Sequence, residues 1–299
     1  QKGLQLYSSG VMIMDKCPDL IGEHFGFVRG VVDSPDLSLN ISRELLQHDR
    51  QLKLMAANIE KKIKSELERL LKEDREGYEK FFKNFGRQLK IGCLNNYGAK
   101  RELLQDLLLF YSSTEKKLVT LQEYVDRMPE SQEKIYYVCA DSVEHAAKMP
   151  QAERVLKAGY EVLYLTVDED EIVLQMLENA GGKPFVSVAD ENALPVTEEE
   201  KANVEQAEKD HKDVLDFAQE TLKDQVAKVR LSKILQSGSV CLTAEGPVSL
   251  EMEKYFRKMR RDFPMQAQKV LEINPDSSAF QALCNAFQAG DKEKAAAYV

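Results

Sequence analysis

Between residues 134 and 188 the chain repeats one alternation, and that alternation restricts the fold more than any other feature. KIYYVCA at 134–140 is a short apolar run of the kind that forms a buried strand. Residues 142–158 follow with helix spacing and end at Gly159. EVLYLT at 161–166 is a second such strand, 171–179 a second helix closed by Gly181 and Gly182, and PFVSV at 184–188 a third strand. Strand, helix, strand, helix, strand at these spacings predicts a small parallel α/β unit with right-handed crossovers.

Upstream the period is different. Residues 4–14 alternate and then run apolar as one strand, which Pro18 ends. Apolar residues at Leu20, Phe25, Phe27, Val28 and Val31 fit helix spacing. The stretch FVRGVVDSPDLSLNISRELLQ, from Phe27 to Gln47, then passes through a polar loop into a helix beginning near Ser42. Leu52, Met55, Ile59, Ile63, Leu67 and Leu70 make one stripe along that helix. Asp74 is placed to cap a second helix, whose buried side would carry Tyr78, Phe81, Phe82, Phe85 and Leu89. A third helix after Gly98 uses Leu103, Leu104, Leu107 and Phe110, and Thr120 with Glu123 forms a capping box before a fourth. Residues 42–128 are therefore expected to be almost all helix.

Past the α/β unit, residues 189–202 are acidic and contain Pro195, and Thr197 with Glu200 opens a new helix. A domain boundary is expected here. Strands at 226–232, 239–244 and 269–273, an amphipathic stretch at 249–261 and helices from Pro275 onward make the remainder an α+β module. The fold class is thus α/β and α+β: a helical segment, a small parallel α/β unit, then an α+β C-terminal domain.

Charge and cysteine usage narrow the function. A net charge of −9 argues against general nucleic-acid binding, which needs clustered Lys and Arg. No run is long and apolar enough for a membrane-spanning helix, and the start does not read as a signal peptide. The two closest of the five cysteines, Cys241 and Cys284, are 43 positions apart, so no CxxC motif exists and reduced thiols in a cytoplasmic protein are expected. A start without Met, directly at a strand, is expected of a piece of something longer.

Few residues offer chemistry. No GxxxxGK[ST] or GxG is present, and the first strand-to-helix turn of the α/β unit carries Asp141, which repels phosphate. His24, His48, His145 and His211 have no ligand spacing and read as surface or capping residues. Arg43 and Gln47 lie i,i+4 on one helical face beyond a loop bearing Asp33, Ser34, Asp36 and Asn40. A permanently charged guanidinium fork suits phosphate oxygens, while the simpler reading has Arg43 pinning its own loop through Asp33 or Asp36. Met252, Tyr255, Phe256 and Met259 fall at i, i+3, i+4 and i+7 with a basic face opposite. Such a stripe is core if covered and an adaptable contact surface if exposed. Asp168–Glu171 reads as a solvated helix start.

These strings also carry a resemblance. FVRGVVDSPDLSLNISRELLQ, the preceding GVMIMDKC, the later LVTLQEYVDRM, EKIYYVCADS and GKPFVSV, and LEINPDS near the end resemble the heat-shock protein 90 chaperones of the bacterial, high-temperature protein G type. The resemblance runs along the whole chain. It implies a partial middle domain at 1–190, holding the last strand of a larger α/β part, the catalytic loop, a helical coil at 42–128 and the small α/β unit at 134–188. A C-terminal domain at 197–299, truncated before the dimerisation helices, follows.

The resemblance further implies a fragment of an ATP-dependent molecular chaperone that binds and remodels client proteins. Arg43, with Gln47 and Asn40, would reach ATP and Mg held mainly by an N-terminal domain outside this chain, so no cofactor and no ATPase activity are expected of the fragment alone. Client contacts are implied at Met252, Tyr255, Phe256 and Met259, and at Glu171 and Ile172, where bacterial relatives can place a tryptophan at the second position. Implied partners are unfolded or partly folded clients, co-chaperones and, in the full-length protein, a second copy. The competing reading is a non-catalytic scaffold that binds partner helices along 42–128.

Overall fold

The computed structural model describes residues 3–37, 50–190, 192–259 and 264–299. The chain combines helices with mixed sheets, in the α/β and α+β manner, and divides into two compact units.

The first unit takes in residues 1–109, 118–123 and 173–178. Its sheet has Leu4–Ser8 in the middle, antiparallel to Val11–Cys17 and parallel to Val31–Asp33. The strand expected over 4–14 is in fact two, because Ser9 and Gly10 both adopt positive φ and turn the chain back. Leu4 and Leu6 point inward and join Met14, Cys17, Leu20, Leu37 and Leu52 in one buried cluster. The helix expected between Leu20 and Val31 is absent. Two short 3-10 turns, Pro18–Leu20 and Glu23–Phe25, replace it, since Gly22, Gly26 and Gly30 interrupt the segment before any long run of i→i−4 bonds can form.

The helical part is more regular. Arg50–Glu73 and Arg75–Gly98 are helices of 24 residues each. Asp74 caps the second as expected, accepting from Gly77 N at 2.9 Å. Tyr78, Phe82 and Leu89 are buried, and the Tyr78 hydroxyl donates to Leu107 O at 2.5 Å. Phe85 is exposed, its ring against Phe27 and Phe81. The helix ends in an unusual turn in which Asn96, Tyr97 and Gly98 are all left-handed, at φ 51°, 55° and 79°. Thr120 and Glu123 form the expected capping box: Glu123 N donates to Thr120 Oγ1 at 3.1 Å and Thr120 N to Glu123 Oε2 at 2.8 Å. The expectation of nearly continuous helix to 128 fails at Phe110–Ser112 and Leu118–Val119, which are strands.

The second unit covers residues 110–117, 124–172 and 179–299. Five of its strands lie in the order Phe110–Ser112, Val162–Leu165, Ile135–Cys139, Lys183–Ser187, Asn179–Ala180. The middle three are parallel, which is the α/β unit expected from the alternation, and the two outer ones are antiparallel. The first crossover is two helices, Val143–Ala146 and Pro150–Lys157, divided at Met149 because a proline cannot continue the hydrogen-bond ladder. Tyr136, Val138, Ala152, Val155, Val162 and Tyr164 form the core on one face. A buried Glu161 holds the Phe110–Ser112 strand, accepting from Ser112 Oγ at 2.6 Å and from Arg127 Nη2 at 2.7 Å.

The chain continues through Thr197, whose capping box with Glu200 starts helix Glu198–Asp210, and a break at His211 separates this helix from Lys212–Thr221. A second sheet places Gln268–Ile273 between Lys228–Leu231, parallel to it, and Val240–Glu245, antiparallel to it. One face packs Val229, Leu231 and Ile273 against Val214, Ala218, Phe280 and Leu283 of the helices. On the opposite face Glu272, 2% exposed, accepts from Arg230 Nη2 at 2.6 Å and Ser232 Oγ at 2.7 Å. All five cysteines are free thiols.

Candidate functional site

Arg43, Gln47 and Asn40 lie outside the described residues, as do His48 and the helix start near Ser42. What the structure does describe is the two ends from which residues 38–49 depart. On the N-terminal side Asp33 accepts from Gly10 N at 3.0 Å, and the Leu37 carbonyl accepts from the buried Ser8 hydroxyl at 2.7 Å. On the C-terminal side, Leu52 enters the same buried cluster as Leu37. Both ends are therefore fixed on one apolar core. Among the described residues no group of three or more His, Cys, Asp or Glu side chains is arranged to hold a metal ion.

The apolar stripe is fully described, and its environment departs from that of an ordinary amphipathic helix. Helix Leu250–Met259 begins at Ser249, whose hydroxyl accepts from Met252 N at 3.1 Å. Met252, Tyr255 and Phe256 are half-buried, and Met259 is 67% exposed. The most buried side chain of the helix is instead an acid: Glu253 is 5% exposed, takes the Ala267 N–H at 2.8 Å and pairs with Arg257 at 2.6 Å. Residue 253 lies about a quarter turn from the stripe, so the helix seats its polar flank and leaves its Met and aromatic face partly open.

A second flank of the same helix is held by ion pairs to the α/β unit. Lys254 Nζ lies 2.8 Å from Asp141 Oδ1, and Lys258 pairs with Asp168. Lys254 holds the Asp141 carboxyl below its ordinary value. Between these pairs sits Glu171, whose Oε1 accepts from Tyr137 OH at 3.1 Å and whose Oε2 accepts from Ser249 Oγ. Burial pushes the Glu171 carboxyl up, with the neighbouring Glu251 adding to the shift, although both hydrogen bonds oppose it. Ile172 beside it is half-buried.

The structure thus brings Glu171 and Ile172 into one neighbourhood with the foot of helix Leu250–Met259. It also corrects the solvated-start reading of Asp168–Glu171: Glu169, Asp170 and Glu171 are each buried. Their surroundings explain this, since strand ends and the incoming helix converge here and Asp168 and Glu171 acquire partners from far along the sequence. Ser249 and Tyr137 also belong to the neighbourhood, although spacing does not single them out. A serine directly before an apolar periodic run is a legible cap signal, whereas a strand tyrosine reads only as core. His24, read as a surface or capping residue, is buried.

Comparison with known proteins identifies the family. A family model described as Hsp90 protein matches residues 1–299. The chaperone protein HtpG of Bacillus subtilis is 54% identical over 298 residues, all of this chain and 47% of the relative. HtpG of Clostridium botulinum is 53% identical over 299 residues and that of Clostridium acetobutylicum 52% over 298, again over the whole chain and 47% of each relative. The chain belongs to the Hsp90 family, and it spans about half the length of the curated relatives it matches.

Proposed function

We propose that this chain is the middle and C-terminal part of an ATP-dependent chaperone. In this reading the middle domain supplies Arg43 to the transferring phosphoryl group of ATP, with Gln47 and Asn40 placing the attacking water and the loop itself. ATP and Mg would be bound mainly by an N-terminal domain outside these residues, so the chain alone would not turn over ATP. An arginine reaching a transferring phosphate stabilises charge that develops only in the transition state. The half-open face of Met252, Tyr255, Phe256 and Met259 would hold unfolded segments of clients, with Glu171 and Ile172 at its edge.

The observation that carries this reading is the inverted seating of helix Leu250–Met259. A buried Glu253 and two lysine ion pairs hold the helix, while its Met and aromatic side chains stay half-buried or, at Met259, exposed. A helix packed only for stability would bury the stripe and expose the acid. The catalytic half is tested in the full-length protein. Arg43→Ala should lower steady-state ATP turnover by roughly three orders of magnitude, as removal of such an arginine does in GTPases, and leave the melting temperature in place. Unchanged turnover would rule the arginine out, and a collapsed melting temperature would favour loop pinning instead.

A further inference from the structure

The geometry points to a proton-sensitive clamp, made by His24, Glu60 and Lys100, that fastens the turns after the first hairpin to the long helices of the first unit. His24 lies on the 3-10 turn Glu23–Phe25 and is 6% exposed. Its Nε2 is 2.9 Å from Glu60 Oε1 on helix Arg50–Glu73, and the other oxygen of Glu60 takes Lys100 Nζ at 2.5 Å. One carboxylate therefore joins three segments far apart in sequence.

The ring fits because two glycines make room for it. A Cβ on Gly22 would lie 2.3 Å from the imidazole Cε1, and one on Gly92 would lie 2.5 Å from the His24 Cβ and 2.7 Å from a Leu104 methyl. Next in the chain, Phe25 and Phe27 pack edge-on, and Phe27 rests on Phe81 and Phe85 of helix Arg75–Gly98. His24, Glu60 and Lys100 line a cleft of about 690 Å³, together with Asp19, Glu23, Lys53, Asn95 and Asn96. Solvent protons thus have access to one side of an otherwise enclosed ring.

The neutral ring suits this place. With its hydrogen on Nε2 it donates to Glu60, and among the described residues no hydrogen bond reaches Nδ1, which faces Gly22. A second proton would add an N–H and a charge on that side. Burial opposes the charged form most, Lys100 adds to the opposition, and Glu60 works against both. Among the described residues, the cleft beside the ring is also lined by charged Lys53, on the same helix as Glu60, and by Asp19 and Glu23, on the turns beside His24.

For a histidine whose value is depressed by folding, the unfolded chain takes up the proton first. The stabilisation is complete above the ordinary histidine value and is lost as the pH falls through it toward the folded one. The turns held by His24 lead into Val31–Asp33 and Leu37, and Glu60 lies on the helix that begins at Arg50, so loosening the clamp affects the anchorage of both ends of residues 38–49. The clamp does not depend on whether Arg43 acts on ATP.

Proton NMR of this chain between about pH 5 and pH 8, the range over which histidines titrate, tests it on only four histidines. The His24 ring signals, assigned through His24→Gln, should show a midpoint below about 6.5, the unperturbed value. His24→Gln retains a donor at the Nε2 position and should remove part of the fall in melting temperature on acidification. It should also remove an acid-induced rise in amide exchange at Leu20, Phe25 and the helix around Glu60. Glu60→Gln, a fallback if the first variant does not fold, should move the His24 midpoint further down. A midpoint at or above the ordinary value, or acid slopes equal in wild type and His24→Gln, would overturn the clamp.

Discussion

Glu171 is a carboxyl kept in a place that disfavours its charge, accepting from Tyr137 and Ser249. Its folded value is raised, with burial the largest cause, so the folded chain holds the proton more tightly than the unfolded one. Its stabilising contribution is complete below the unfolded value and is lost as the pH rises through the folded one. Glu171→Gln removes the titration and keeps an acceptor for Tyr137 and a group able to donate to Ser249. The variant should melt higher than wild type near pH 7.5 and lose that advantage near pH 4, where the wild-type carboxyl is itself protonated. Calorimetric melts at the two pH values check this, and an advantage equal at both would mean the gain has another source. The resemblance marks Glu171 for client contact, but spacing does not separate it from the acids preceding it or reveal its burial, because its partners lie 34 and 78 positions away. Capping residues were legible for the opposite reason: Asp74, Thr120 and Thr197 act on backbone within three residues of themselves.

Among the elements, those with a strong period and a local cap are where the spacing put them, and the exceptions share a cause. The parallel strands are continuous apolar runs and the long helices keep one stripe, so each announces itself within its own length. The segment from Leu20 to Val31 shows apolar residues at helix spacing, but three glycines decide against a helix and the apolar side chains are used by separate turns. Phe110 continues the helix spacing in sequence yet sits on a strand, because Phe110–Ser112 is fixed by Tyr111 pairing with Tyr164 and by Ser112 bonded to Glu161, both remote contacts.

The left-handed turn at Asn96, Tyr97 and Gly98 is an element whose cost can be measured. Gly98 has φ 79°, and a Cβ there would lie 2.7 Å from the Met176 sulfur; Gly159 has φ 84° with nothing within 4 Å of a Cβ. Gly159→Ala should cost about 1–2 kcal/mol from the left-handed backbone alone, and Gly98→Ala should cost more, since Met176 must also give way. Denaturant melts of the two variants compare them directly. Equal losses would mean Met176 yields freely.

On the scale of the whole molecule, the proposed holding of clients can be measured on this chain by itself. Holding an unfolded segment requires an accessible adaptable surface but no nucleotide, so the chain alone should slow the aggregation of a chemically denatured protein, followed by light scattering. The gradation along helix Leu250–Met259 makes the test decisive, because Met259 is 67% exposed whereas Phe256 is half-buried. An acid at an exposed position changes stability little, within about 0.5 kcal/mol for ordinary surface sites. Met259→Asp should therefore weaken holding severalfold while the melting temperature stays put, and Phe256→Asp should lose both holding and stability. The basic Arg257 and Lys258 next to Met259 are retained in both variants, which keeps the wider field around the helix nearly constant. If Met259→Asp folds and holds clients as well as wild type, the open end of the stripe is not a contact surface. The half-buried remainder would then act only in packing the helix onto its own unit.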